Sequence, residues 1–287
     1  MRFDGIGRRI GRAEAVTFQP MQAPPFLAAD AALFLDFDGT LVAIAETPEA
    51  VVVPDALVPA LIELHELLGG ALAVVSGRQI DSIDRFLAPL RLPAAGEHGV
   101  QRRDAEGHMT EMQAPDLGFV LEACNELAGA HAGLLVERKH AAIALHYRLA
   151  PQLEDLCRSA IDALVAPHPQ LEVLHGKCVV EVKPAGMNKG IAIDAFMKEA
   201  PFAGRTAVFA GDDTTDETGF SVVQRMAGGV AIKVGNGPSQ ALHRLADTGS
   251  VLTWLIATRD KLAAARPAPA TAKRGKRASA PEQSAPQ

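Results

Sequence analysis

Three short apolar runs, "ALFLDFDGT", "ALAVVSGR" and "TAVFAGDDTTDE", each break at once into polar residues that include glycine. An uninterrupted apolar run of this length reads as a strand buried on both faces, the habit of a parallel sheet covered by helices. Helical patterns separate the runs. In "PDALVPALIELHELLGG", Pro54 precedes the helix, Leu57, Leu61, Leu64 and Leu68 recur at helical spacing, and Gly69 stops it. The alternation predicts an α/β fold built on a Rossmann-like, doubly wound parallel sheet. Ligands bind beyond the carboxyl ends of the strands in such sheets, so the three polar tips are expected to converge.

The middle of the chain has another rhythm. "PDLGFVLEACNELAGA" reads as a helix, followed by "LLVERK" and "AIALHYR" as a strand pair. Then "PQLEDLCRSAIDALVA", with Pro151 suited to a first helical turn, precedes "LEVLH" and "CVVEVK", which turn around His175-Gly176. Adjacent strands with a helix before each pair predict an antiparallel sheet covered on one face, an inserted α+β unit over residues 104–183. The parallel core then spans residues 29–103 and 184–262, and closure of one unit on the other is expected to hinge near Arg103 and Lys183. Residues 1–28 lack periodicity, and 263–287 are rich in Ala, Pro and Ser around "KRGKR"; a flexible N-terminal segment and a disordered tail are expected.

With 287 residues and 48% apolar content, the chain can bury the cores of two ordinary domains. A formal net charge of −6 argues against a nucleic-acid partner, which calls for a concentrated basic surface. The N-terminus has no continuous apolar stretch of the signal-peptide kind, and no run of ~20 apolar residues offers a membrane span. A soluble, cytoplasmic protein acting on a small molecule is expected, and a monomer is compatible with this pattern. Cys124, Cys157 and Cys178 show no metal-binding spacing and read as reduced core residues.

Asp36 and Asp38, two residues apart in an extended segment, share one face. Paired carboxylates are tolerated where a cation neutralises them, where one is protonated, or where water reaches them. An acidic strand-to-turn cap, with Gly39 supplying the turn, explains a lone DxDG equally well. The second acidic tip shifts the balance, because Asp212, Asp213 and Asp216 within five residues call for something positive nearby, and Mg²⁺ is the hard, oxygen-seeking ion that fits. A helix cap by Asp212 or Thr214 accounts for one of these residues only. Ser76, with the backbone N–H groups of Gly77 and Arg78, can bind an anion or simply cap a helix. Lys189 in "KPAGMNKG" offers a point charge to phosphate or is an ordinary surface lysine.

Taken in order, Asp36-Phe37-Asp38-Gly39-Thr40, Ser76, Lys189, and Gly211-Asp212-Asp213 with Asp216 resemble the four motifs of the haloacid dehalogenase (HAD) superfamily of aspartate-nucleophile phosphatases. The insertion between the second and third motifs resembles a C2-type cap. Within that group, "GDDTTDE", "GEHG" at Gly96 to Gly99, "ERK" at Glu137 to Lys139 and "VVEVKP" at Val179 to Pro184 are similar to the trehalose-6-phosphate phosphatases, over about residues 31–256. The resemblance implies Asp36 as nucleophile, Asp38 as general acid and base, and Ser76 and Lys189 on the phosphoryl oxygens. It implies a Mg²⁺ ion held by Asp36, the Asp38 carbonyl and Asp212, with Asp213 and Asp216 behind them.

At period 2, "VERK" sets Glu137 and Lys139 on one strand face, and "KCVVEVK" sets Lys177, Glu181 and Lys183 opposite Cys178, Val180 and Val182. A charged face of this kind is either solvated or, over a phosphatase core, suited to a sugar with many hydroxyls. The resemblance implies Glu137, Lys139, Arg148, Lys177 and Glu181 as sugar contacts, with Gly77 and His98 lining the same cleft. One Trp and one Tyr leave little aromatic surface for stacking on a sugar. Trehalose 6-phosphate is the substrate the resemblance implies. The alternatives are another HAD sugar phosphatase, of the sucrose-phosphate or mannosyl-3-phosphoglycerate type, and a non-catalytic sugar-phosphate-binding regulatory subunit.

Overall fold

The computed structural model describes residues 22–112 and 115–266. Strand β1 (Ala31–Leu35) leads to helix α1 (Leu57–Leu67), β2 (Leu72–Val75), α2 (Ile80–Leu87), β3 (Ala94–Gly96), β4 (Gln101–Arg103) and β5 (Met109–Glu111). The middle of the chain forms α3 (Gly118–Ala130), β6 (Leu135–Arg138), β7 (Ile143–His146), α4 (Glu154–Val165), β8 (Leu171–Gly176) and β9 (Val179–Pro184). It closes with α5 (Lys189–Phe196), β10 (Thr206–Gly211), α6 (Glu217–Arg225), β11 (Val230–Val234), β12 (His243–Leu245) and α7 (Thr248–Ala265).

Eight strands form one sheet in the order β12-β11-β10-β1-β2-β3-β4-β5, parallel from β12 to β3 and antiparallel at β4 and β5. The side chains of β1 show why helices cover both faces. Leu33 and Leu35 pack with α1, α2 and α7, whereas Ala32 and Phe34 face α5 and α6. Phe34 stacks on Phe202 at 5.4 Å between ring centroids. The chain leaves β1 towards β2 on one side and returns at β10 on the other, so the crevice that suits a ligand opens at the carboxyl end of β1.

The second sheet, β6-β7-β9-β8, is antiparallel throughout. Ile143, Leu145, Val180 and Val182 face α3 and α4 in a core of their own, with Cys124 and Cys157 buried in it. Cys178 is only half-buried. The β8–β9 turn falls at Lys177-Cys178, not at the expected His175-Gly176, because the ladder continues to the Gly176–Val179 pair and leaves two residues to reverse the chain. Cys178 accordingly takes a φ of +60°.

Three expectations need adjusting. Residues 109–111, assigned from sequence to the inserted unit, pair with β4 in the core sheet. Asp104 drives this by accepting the N–H groups of Glu106 and His108, and Gly107 at φ +91° completes the reversal. Residues 22–28, expected to be flexible, pack on the core: Leu27 is buried, and the Trp254 indole N–H donates to the Pro25 carbonyl at 3.0 Å. Residues 263–265, expected to begin the disordered tail, instead complete the last turn of α7. The rest of both terminal segments, residues 1–21 and 267–287, lies outside the described residues. Among the described residues no helix is long and apolar enough to cross a membrane.

Candidate active site

The carboxyl ends of β1 and β10 bring three aspartates together. Carboxylate oxygens of Asp36, Asp212 and Asp216 lie within 4.8 Å of one another, and all three residues are buried. Lys189, the first residue of α5, enters the same cluster. Its Nζ stands 2.8 Å from Asp36 Oδ1 and 2.7 Å from Asp216 Oδ1. Asn188 starts that helix by accepting the Ile191 N–H, which fixes the lysine's entry point.

Burial pushes the Asp36 carboxyl upward, Lys189 opposes this, and Asp216 and Asp212 add to the rise; it lies well above the usual carboxylate range. Lys189 is held above its usual value because two carboxylates outweigh the effect of burial. Two ammonium groups pair with these carboxylates, Lys189 and Lys177, whose Nζ lies 2.6 Å from Asp212 Oδ2, and a third, the buried Lys233, donates to the Asp212 carbonyl. The three carboxylates lie close enough to share one ion and every donor is oxygen, so the set fits a hard divalent cation. Gly39 makes room for the Asp212 carboxylate: at φ +76°, its missing Cβ would stand 2.2 Å from Asp212 Oδ2. Asp216 is already occupied, accepting Lys189 and, through Oδ2, the Asp213 N–H at 2.8 Å. Asp213 caps the short turn that follows, accepting the Thr214 N–H, so the capping residue is neither Asp212 nor Thr214.

Asp38 is half-buried and lines the cleft, its side chain 36% exposed. Arg78 grips it with two parallel bonds, Nε to Oδ2 at 2.6 Å and Nη2 to Oδ1 at 2.7 Å. Sequence reasoning missed this arginine, although "SGR" carried it in view. Ser76 is buried and its Oγ accepts the Arg78 N–H at 3.2 Å, which orders the turn before α2; the N-cap of that helix is Gln79. Gly77 lies under His98, whose Nε2 would be 2.8 Å from a Cβ there.

From the second sheet, Lys139 Nζ donates to Glu181 Oε2 at 2.5 Å and to the Gly77 carbonyl at 2.9 Å. Burial would push Glu181 up, but Lys139 and His98 overcome it and hold the carboxyl far below its usual range. Burial keeps His98 below its usual value despite Glu181 at 3.4 Å. Glu137 pairs with His146, a cleft residue that sequence reasoning also missed, at 2.8 Å. Arg148 donates to the Lys177 carbonyl at 3.1 Å. Lys183, expected beside Lys177 and Glu181, is instead buried, bonded to Glu172 at 3.0 Å and to the Met187 carbonyl. Its register is right, but its long stem carries the ammonium down to the end of the strand.

One cleft joins the two sheets. All the residues expected at the site line it, except the buried Asp216, and Ile44, Ala45, Pro48 and Val51, with Glu46 and Thr47 among them, add a mixed wall that the sequence did not suggest. The arrangement is a buried carboxylate gripped by an ammonium, a second carboxylate two residues on at the mouth, and a roof of charged groups.

Residues 34–249 match the sequence model of the family described as Trehalose-phosphatase. The chain is 45% identical over 242 residues to trehalose-6-phosphate phosphatase of Escherichia coli (strain K12), covering 83% of this chain and 90% of that protein. It is 46% identical over 209 residues to a probable trehalose-phosphate phosphatase of Sinorhizobium fredii, covering 71% and 77%. The structure of the C. albicans trehalose-6-phosphate phosphatase C-terminal domain superposes with a TM-score of 0.73 at 22% identity, over 80% of this chain and 92% of that one. The family match and the fold together define a phosphatase, with a small antiparallel sheet set over a parallel core. The chain belongs to the trehalose-phosphatase family.

Proposed function

We propose that this protein hydrolyses trehalose 6-phosphate to trehalose and phosphate, with Mg²⁺ as its divalent metal. The observation that carries the reading is the buried Asp36, held by Lys189 at 2.8 Å, with the half-buried Asp38 two residues later beneath a charged roof. An Asp36 carboxylate oxygen attacks phosphorus while the bond from phosphorus to the sugar oxygen breaks, giving an aspartyl-phosphate. Asp38 delivers a proton to the departing oxygen and then removes one from the water that hydrolyses the acyl phosphate. Such proton transfer contributes ~10²–10⁴ in rate. Lys189 and the Ser76 turn stand where phosphoryl charge must be offset.

Asp36, Asp212 and the Asp38 carbonyl are the groups we assign to the metal, whose bound charge would offset that of the phosphoryl oxygens. Asp213 and Asp216 order these ligands from behind. The inserted unit, which we take to begin after β5 and to end with β9, supplies Glu137, Lys139, Arg148, Lys177 and Glu181 to the sugar hydroxyls. The name of the Escherichia coli relative supports trehalose 6-phosphate over other sugar phosphates. Three unpaired cysteines support a reducing, cytoplasmic setting.

The deciding experiment measures phosphate release with Mg²⁺ from trehalose 6-phosphate, glucose 6-phosphate, sucrose 6-phosphate and mannosyl-3-phosphoglycerate, beside an Asp36→Asn control. A strong preference for trehalose 6-phosphate, abolished in the control, is expected. Hydrolysis spread across these compounds would overturn the substrate, and no release would favour a non-catalytic sugar-phosphate-binding subunit.

A further inference from the structure

The Gly96–Gly99 turn takes no part in the chemistry above, yet its backbone is unusual. Glu97 and His98 are consecutive non-glycine residues in the left-handed region, at φ +46° and +58°. Such conformations persist only where the surroundings enforce them, and they gather at functional sites.

What surrounds Glu97 is the other sheet. Its side chain belongs to the core, it is 1% exposed, and its two carboxylate oxygens accept the backbone N–H groups of His140 and Ala141, each at 2.6 Å. Those two residues form the β6–β7 turn of the inserted unit. Among the described residues these are the only hydrogen bonds the carboxylate accepts, and no ammonium or guanidinium forms an ion pair with it. A buried anion must be hydrogen-bonded, so Glu97 is satisfied only while the turn is seated on the core. Lys139, one residue before the turn's captured N–H groups, is thereby set against the Gly77 carbonyl and Glu181. His98, the next residue of the strained pair, meets Glu181 from below.

We propose that Glu97 is a positioning residue that docks the β6–β7 turn on the core and so fixes Lys139 and Glu181 over the phosphate-binding end of the cleft. The inference rests on reading the cleft as a sugar-phosphate site. Glu97 touches no substrate; it sets the height and angle of the groups that do. Substrates that need the roof depend on it, and a small aryl phosphate that needs only the core does not.

The test compares Glu97→Ala and Glu97→Gln with wild type on trehalose 6-phosphate and on p-nitrophenyl phosphate, and follows amide hydrogen exchange at residues 140 and 141. With Glu97→Ala, kcat/KM for trehalose 6-phosphate should fall about tenfold or more while p-nitrophenyl phosphate turnover stays within about twofold. Exchange at 140 and 141 should quicken. Glu97→Gln, which keeps one acceptor oxygen, should fall between, and it decides alone should the alanine variant not fold. Equal losses on both substrates, an unchanged kcat/KM for trehalose 6-phosphate, or unchanged exchange would each overturn the proposal. Should wild type show no preference for trehalose 6-phosphate over glucose 6-phosphate, the substrate reading falls, and the exchange result still decides the docking role.

Discussion

Arg78 and Asp38 share a planar, two-bond contact at 2.6 and 2.7 Å across the mouth of the cleft, with the guanidinium carbon 5.3 Å from the Phe37 ring centroid and 5.0 Å from that of Phe86. Two parallel bonds fix the plane of a carboxylate as one bond cannot, and a guanidinium resting against a pair of rings 5.8 Å apart keeps its own orientation. The group proposed to move protons is therefore aimed by a residue forty positions away.

From this contact we expect Arg78→Lys and Arg78→Ala to lower kcat for trehalose 6-phosphate by roughly 10–10²-fold, a part of what general acid catalysis supplies. Lysine should rescue little, because it cannot form the fork. Formation of the aspartyl-phosphate from p-nitrophenyl phosphate should suffer much less, since that leaving group departs without a proton. The ratio of the two first-step rates, read by single-turnover kinetics, checks this, and an unchanged ratio counts against it.

Lys189→Met leaves Asp36 and Asp216 buried beside each other with no ammonium. Breaking a buried ion pair in this way costs about 3–5 kcal/mol. A thermal unfolding midpoint several degrees lower is expected in metal-free buffer, with part of the loss recovered on adding Mg²⁺ if the cation takes over the neutralising role. A variant as stable as wild type without metal would refute a neutralising role for Lys189 in the aspartate cluster.

Gly39→Ala drives a methyl into the Asp212 carboxylate at a backbone angle that disfavours any side chain. Either Asp212 or the turn must move. Divalent-metal affinity, measured by calorimetric titration, should weaken by about tenfold or more, whereas Gly204→Ala, whose Cβ meets nothing within 4 Å, should leave it alone.

The Glu181, Lys139 and His98 group sets an acid limit on stability. Glu181 has a folded pKa below its usual 4.5, so its contribution is complete above that value and is lost as pH falls below it. His98 is kept neutral by burial, with a folded pKa below 6.5, so protonation of the unfolded chain draws stability away once pH drops through about 6.5. Both act in the same direction. Urea titrations between pH 8 and 3 should show stability falling by no more than about 1.4 kcal/mol per pH unit for each group, with Glu181→Gln flattening the limb below pH 4.5.

Local pattern revealed what is local. The run before Asp36, the leucines of α1 and the alternation in β9 follow from burial at fixed periods, and so did the placing of Asp36, Asp38 and Asp212 at strand ends. Residues whose work lies in a distant partner stayed hidden. Glu97 serves backbone N–H groups of another unit, which leave no mark in side-chain pattern, and Arg78 looked like the end of a weak three-residue motif. Strand β5 was hidden for a different reason: its three residues are exposed, so no apolar period marks them. Lys183 shows the limit of face assignment, because a long side chain on a correctly placed Cα can still turn its charge elsewhere.

The sheet's far border carries one more consequence. Strand β12 is three residues long and would end the sheet with bare peptide groups, but Gln22 lies parallel beside His243 and accepts the Arg244 N–H at 3.1 Å. Unpaired borders of this kind are templates on which a second chain can polymerise. The segment around Gln22 is thus a sacrificial neighbour that uses up one end of the ladder, and removing it trades a few surface residues for a sticky seam.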